Sequence, residues 1–247
     1  TPDGRLIGVP PNVAPHVMWY NAKVFDEAGI SVTDQGLEDW DEFLSIGQRI
    51  SKDTDGDGKT DIWMLDHARY LGQQIINSQP GFFDRDGNII IDNAEYLRAL
   101  EYALKARELG IDARVQATTN EWNEGIRRDS FATILRPAWH GGHLTDYIIP
   151  GDTSNWRGAW PPGKMAGTDG GVFMVIPEQS KNKEAAWKLI EFVTTDIEAQ
   201  KIVFTFGAML PAWLPTYEDP VFEEAMPFYG GQRIRLLWRD IAFAIPD

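Results

Sequence analysis

Short β-leaning runs alternate with stretches of helical apolar period along almost the whole chain, and a sequence built this way buries its strands between layers of helices. Residues 4–9 and 17–20 are such runs, closed by Pro10-Pro11 and by Asn21. Asp39 stands three residues before Glu42 in a capping-box spacing, and Phe43, Ile46 and Ile50 then share one face of a helix ending near Ser51. Residues 62–65 read as a strand leading into a helix through Tyr70, Ile75 and Ile76, which Gly81 stops. Residues 88–91 read as another strand, and Asp92 or Asn93 can cap a helix carrying Leu97, Leu100 and Leu104 up to Gly110. A helix near Trp122, strands over 131–135 and 172–176 and a helix over 183–193 continue the alternation. The expected fold class is α/β, with helices packed on a mainly parallel or mixed sheet.

The bulk chemistry narrows the function. With 247 residues, 43% of them hydrophobic, the chain can bury one large or two small cores. A net charge of -14 repels phosphate backbones and anionic headgroups, so nucleic acid is a poor partner. The absence of cysteine excludes disulfides, thiolate metal sites and cysteine nucleophiles. No apolar run approaches the roughly 20 residues of a membrane-spanning helix, and Thr1-Pro2-Asp3-Gly4 is not the start of a signal peptide, so the chain reads as soluble. Ten Trp, seven Tyr and twelve Phe supply flat apolar faces that fill cores and also stack on sugar rings.

Several stretches, in order, match a known pattern. They are Gly4-Arg5-Leu6-Ile7-Gly8-Val9-Pro10, Trp19-Tyr20-Asn21-Ala22-Lys23-Val24-Phe25 with Ala28-Gly29-Ile30, and Trp40-Asp41-Glu42-Phe43. Asp129-Ser130-Phe131-Ala132-Thr133 through Trp139, then Gly170-Gly171-Val172 through Pro177 with Asn182-Lys183-Glu184-Ala185-Ala186, and Gly207-Ala208-Met209-Leu210-Pro211-Ala212 complete the series. The chain resembles the bacterial extracellular solute-binding proteins of the sugar-transport type, the family of the maltose-binding protein. It departs in having Glu38 and Asp39 where Pro and Thr usually precede the Trp. The resemblance implies a periplasmic-binding-protein-like lobe: residues 1–247 would be the second, C-terminal lobe, beginning at the inter-lobe crossover strand, without the first lobe and without the further helices that usually follow the position of Pro246. It also implies a carbohydrate receptor, for an oligosaccharide given the aromatic abundance, that delivers to the membrane subunits of an ABC transporter from a periplasmic or extracellular location, free or lipid-anchored. An open half-cleft could also self-associate.

Candidate ligand residues follow from strand ends and from the resemblance. Trp139 lies in a turn just after a strand, where open α/β sheets expose ligand residues, with core packing as the alternative. Trp238 resembles a sugar-stacking position of the family, yet Leu236-Leu237-Trp238 could equally be a buried helix face. Asp66, His67 and Tyr70 follow a strand at positions that, by resemblance, often meet hydroxyls; alternatively Asp66 caps the next helix and His67 is solvated. Gly170 and Gly171 would let a ligand approach the backbone, and Trp213 could line the cleft from its loop.

A second constellation runs from Asp53 to Asp61. Asp53, Asp55, Asp57 and Asp61 occupy positions 1, 3, 5 and 9 of an EF-hand-like loop, with Gly58 at position 6 and the Lys59 carbonyl as a further oxygen. Position 12 is Met64, so the usual bidentate Glu is missing. The expected cofactor is a structural calcium ion, relieving repulsion among the carboxylates, against a metal-free acidic turn. Catalytic motifs are absent: there is no HExxH, no phosphate-cradling glycine loop and no GxSxG elbow. The competing functions are a glycoside-active enzyme, in which Asp66 and Glu121 would act as acid and base, and a dimerising lobe without ligand.

Overall fold

The computed structural model describes residues 5–79, 81–84 and 86–246. Its centre is a four-stranded sheet in the order β3-β4-β2-β5. Strand β2 (His16–Asn21) is buried at all six positions and pairs antiparallel with both β4 (Phe131–Pro137) and β5 (Trp156–Ala159). Strand β3 (Trp63–Leu65) joins the far side of β4 in parallel, so the sheet is mixed. Because helices cover both faces, β2 and β4 read as continuous apolar runs instead of alternating ones.

Each face has its own core. Val17, Trp19 and Ile134 pack with α5 (Asn120–Arg127) and α9 (Ile234–Phe243), whose Ile234, Leu237, Trp238 and Ile241 repeat at helical spacing. Met18, Tyr20 and Leu135 pack with α1 (Ala22–Glu27), α2 (Trp40–Ile50), α3 (Ala68–Asn77) and α4 (Ala94–Glu108). The α2 start forms as read: the Asp39 carboxylate accepts from the Glu42 amide at 2.8 Å, and Glu42 reaches back to the amide of Glu38.

Three expectations need correction. Residues 5–9 and 172–176 form no strand; Val9 and Met174 exchange two hydrogen bonds of 3.0 and 2.9 Å as an isolated bridge (Gly4 lies outside the described residues). Residues 88–91 form no strand: Ile89 makes an isolated bridge to Phe83, and the Ile90 amide donates to the Phe82 carbonyl at 3.0 Å. Helix α4 exists, but its buried face is Tyr96, Ala99, Tyr102 and Ala106, while Leu97, Leu100 and Leu104 are exposed. The small residues decide this face, because a side chain on Gly72 of α3 would meet the Ala99 carbonyl at 3.2 Å, so Gly72 and Ala99 let the helices approach closely.

Helix α7 (Lys183–Thr195), helix α8 (Ile197–Gly207) and the two-residue ribbon of β1 (Asn12–Val13) with β6 (Leu210–Pro211) add to the α9 side, where Phe204 of α8 and Leu210 of β6 join its core. No helix of the described residues is long and apolar enough to cross a membrane.

Candidate functional site

Parallel β3 and β4 end on the same edge of the sheet, and antiparallel β2 begins there. That edge gathers Asp66-His67, Pro137-Ala138-Trp139-His140 and His16. Two bonds fix it: the Ala138 amide donates to the Pro15 carbonyl at 2.8 Å, and the His16 amide to Gly167 at 2.9 Å. Beyond Gly167 the chain crosses the edge, where Gln73 donates to Asp169 at 3.1 Å.

Trp139 sits at this edge half-buried. Its ring lies 4.1 Å from His140 at 37° and 5.3 Å from His143 at 66°, so it is propped from below and partly open to solvent. Beneath it His140 is buried against Trp122, and among the described residues neither of its ring nitrogens has a hydrogen-bond partner. Burial, then the nearby Arg136 charge, holds the His140 pKa well below the ordinary value. Burial likewise lowers His16 to about 4, against the opposing charge of Asp169.

Asp66 is not a hydroxyl contact. It is fully buried, with Oδ2 accepting from Arg136 and, at 2.7 Å, from the Trp122 indole, and Oδ1 accepting from the His67 amide at 2.8 Å. Burial raises its pKa and Arg136 opposes the rise. The Arg136 guanidinium lies 3.3 Å from the centre of the Tyr70 ring, and the Tyr70 hydroxyl accepts from the Ala117 amide at 3.1 Å. Asp66 and Arg136 therefore clamp β3, β4, α3 and α5 together beneath the edge. Asp66 cannot pair with the exposed Glu121 as acid and base, because no solvent reaches it.

His67, not Asp66, caps α3: its Nδ1 accepts from the Arg69 amide at 3.1 Å, and its half-buried ring stays at the edge. Burial lowers its pKa, with Asp112 opposing. Asp112, absent from the sequence reading, is buried and accepts from the Ala68 amide at 2.9 Å and from Arg107.

Trp238 also needs correction. Only 2% exposed, it packs edge-on against Trp19 at 5.9 Å and Phe204 at 6.3 Å, so the apolar helix face prevails over the stacking position. Gly170 and Gly171 lie exposed on the crossing segment; Gly170 has φ +82° with open space around it, so its backbone conformation requires glycine and crowding does not. Trp213 is 40% exposed just after β6, where Ala212 bonds to Pro11. His67 and Trp139 thus share the edge, while Trp238 leaves the set and so does Tyr70, buried beneath Arg136 with its hydroxyl taken by the Gln116 side chain and the Ala117 amide.

The acidic loop lies at the other end of β3. Oxygens of Asp53, Asp55 and Asp61 come within 4.8 Å of one another. Asp57 stands apart from this group, its carboxylate turned to the Lys59 amide at 2.8 Å and ammonium at 3.4 Å. The cluster is less repulsive than the sequence implies, because the loop's own donors serve it: the amides of Gly56 and Gly58 hold Asp53 below its usual carboxylate pKa, and the Thr54 hydroxyl does so for Asp61. The convergent oxygens suit a hard cation, whereas Met64, fully buried, offers no ligand at position 12.

The model of one family, the bacterial extracellular solute-binding proteins, matches residues 1–200. The chain belongs to this family. Among curated relatives, the arabinooligosaccharide-binding protein of Halalkalibacterium halodurans is 26% identical over 238 residues, which is 92% of this chain and 52% of that protein. The arabinooligosaccharide-binding protein of Bacillus subtilis is 29% identical over 209 residues, 81% of this chain and 47% of that protein. The chain spans about half the length of these relatives. Among solved structures, an extracellular solute-binding protein of family 1 superposes with TM-score 0.82 at 24% identity, covering 98% of this chain and 62% of that one. A transporter-associated binding protein of B. animalis subsp. lactis Bl-04, in complex with β-1,6-galactobiose, gives 0.78 at 19% identity, covering 98% and 62%. The sugar-binding protein MalE of Xanthomonas citri gives 0.72 at 22% identity, covering 97% and 59%. These likenesses establish the fold of a solute-binding protein.

Proposed function

We propose that this member of the family captures carbohydrate at the sheet edge marked by Trp139, as the second lobe of a two-lobe receptor that hands its sugar to the membrane subunits of an ABC transporter. The observation that carries this reading is the Trp139 ring, half-open at the strand ends and backed by His140 and His143. It offers an apolar face for a sugar ring beside polar groups such as His67 for hydroxyls. The relatives' arabinooligosaccharide specificity supports an oligosaccharide ligand. The receptor would work outside the cytoplasmic membrane, free or lipid-anchored, and without catalysis. Leu6, Ile7, Phe173, Val175 and Trp187 are 48–80% exposed around the Val9–Met174 bridge, an apolar face suited to a first lobe and, without one, to self-association. The proposal also places a structural calcium ion among Asp53, Asp55 and Asp61.

Incubating the complete gene product with labelled arabino-oligosaccharides tests this against the enzyme reading. Saturable binding with intact sugar is the expected result. Cleavage of the sugar would overturn the proposal.

A further inference from the structure

Trp139 is the first of three rings on one side of a helix. After β4 the chain turns into a short α-helix, α6 (His140–His143), continued by a π-helical turn over Leu144–Ile148. Trp139, His143 and Tyr147 follow at four-residue steps, the spacing that stacks side chains along one helical face. Their rings meet in series: Trp139 and His143 are 5.3 Å apart at 66°, and His143 and Tyr147 are 5.6 Å apart at 63°. The opposite side, Leu144 and Ile148, is buried in the core.

Exposure grows along the row, from half-buried Trp139 and His143 to Tyr147, which is 72% exposed. Burial therefore does not explain Tyr147. Among the described residues no hydrogen bond engages its hydroxyl, and its ring contact is with His143 alone. The local backbone is also unusual, because π-helical turns are rare and cluster at functional sites. A row one ring wide is far too small for a protein partner, which needs about 800 Å² of surface. It suits a narrow chain of rings, and the net charge of -14 favours a neutral one.

We infer that Trp139, His143 and Tyr147 form a graded stacking track that carries a carbohydrate chain outward from the Trp139 edge and selects long oligosaccharides over short ones. This rests on the carbohydrate reading above and deepens it. His143 and Tyr147 add apolar ring faces and polar tips that successive sugar units meet in turn.

The test measures affinities of the complete gene product for arabino-oligosaccharides of increasing length, comparing wild type with Tyr147→Ala, Tyr147→Trp and Trp139→Ala. Tyr147→Ala should cut the preference for long over short chains by about fivefold, the size of one aromatic contact. Tyr147→Trp should retain the preference, and Trp139→Ala should weaken every length. Melting temperatures should stay together for the Tyr147 variants, since the side chain is exposed. An unchanged length preference in Tyr147→Ala, with wild-type binding intact, overturns the track and leaves the Trp139 reading standing. Wild type that binds no member of the series rejects the carbohydrate reading and the track together.

Discussion

Arg136 shows how much of the candidate edge is scaffold. Removing one partner of a buried ion pair strands the other charge, at a cost of about 3–5 kcal/mol. Arg136→Leu should therefore lower the melting temperature by roughly 10 °C in a chain of this size, and a shift within a degree or two would show that the Asp66 clamp is not structural. Trp139→Ala should do the reverse: sugar affinity should fall by about fivefold or more while the melting temperature holds. Normal binding, or unfolding, would return Trp139 to the core. The two buried histidines give a pH dependence with a definite sign. The His16 folded-state pKa is about 4 against an ordinary value of 6.5, and His140 is depressed too. As pH falls from about 6.5 towards about 4 the unfolded state binds protons that the folded state refuses, so stability is lost across that window. The melting temperature should fall between pH 7 and pH 5, and His140→Phe should flatten the slope. Asp66, with its raised pKa, works in the opposite direction, so the difference between variant and wild type is the informative quantity; identical slopes would contradict the assignment. Sequence reading found the strand end that presents Trp139, but it could not see that Asp66 meets Arg136 70 residues later. A carboxylate after a strand looks the same whether it faces solvent or a buried guanidinium.

Elements were legible where local chemistry sufficed. The capped start of α2 and the strands around Trp19 and Ile134 formed as their patterns indicate. β5 escaped because Trp-Arg-Gly-Ala carries little strand signal; it forms through pairing with β2, and the Gln232 side chain bonds both to the Gly158 amide and to its carbonyl at 2.9 Å, closing the outer edge. α4 was found with its wrong face, since apolar residues at helical spacing lie on two sides and the tight contact with Gly72 chooses between them. The acidic loop is a matter for the same scale. Calcium should stabilise the native state by mass action, by about 2.7 kcal/mol at 100 times Kd, and so raise the melting temperature, and chelator should lower it. Asp55→Ala should abolish the response without altering sugar affinity, because the loop lies at the opposite end of β3 from His67. A calcium titration with neither heat nor thermal shift would reject the site.

At the scale of the whole molecule, the fold places the Trp139 edge, where the proposal sets the sugar, and an exposed apolar face on the same body. The family resemblance was legible because its motifs lie in order along the chain. The two-lobe reading was legible only through that resemblance, and the exposed ribbon of Leu6, Ile7 and Phe173 is the face on which the proposal sets a partnering lobe. A pocket that holds a small ligand well buries about 70–90% of its surface, and a single edge cannot. Two lobes closing about a hinge can. Calorimetric titration with an arabino-oligosaccharide, run on residues 1–247 alone and on the same chain joined to a first lobe, tests this most directly. Residues 1–247 alone should bind at least tenfold more weakly, a difference of about 1.4 kcal/mol; equal affinities in the two forms would place the whole cleft within this chain and contradict the account.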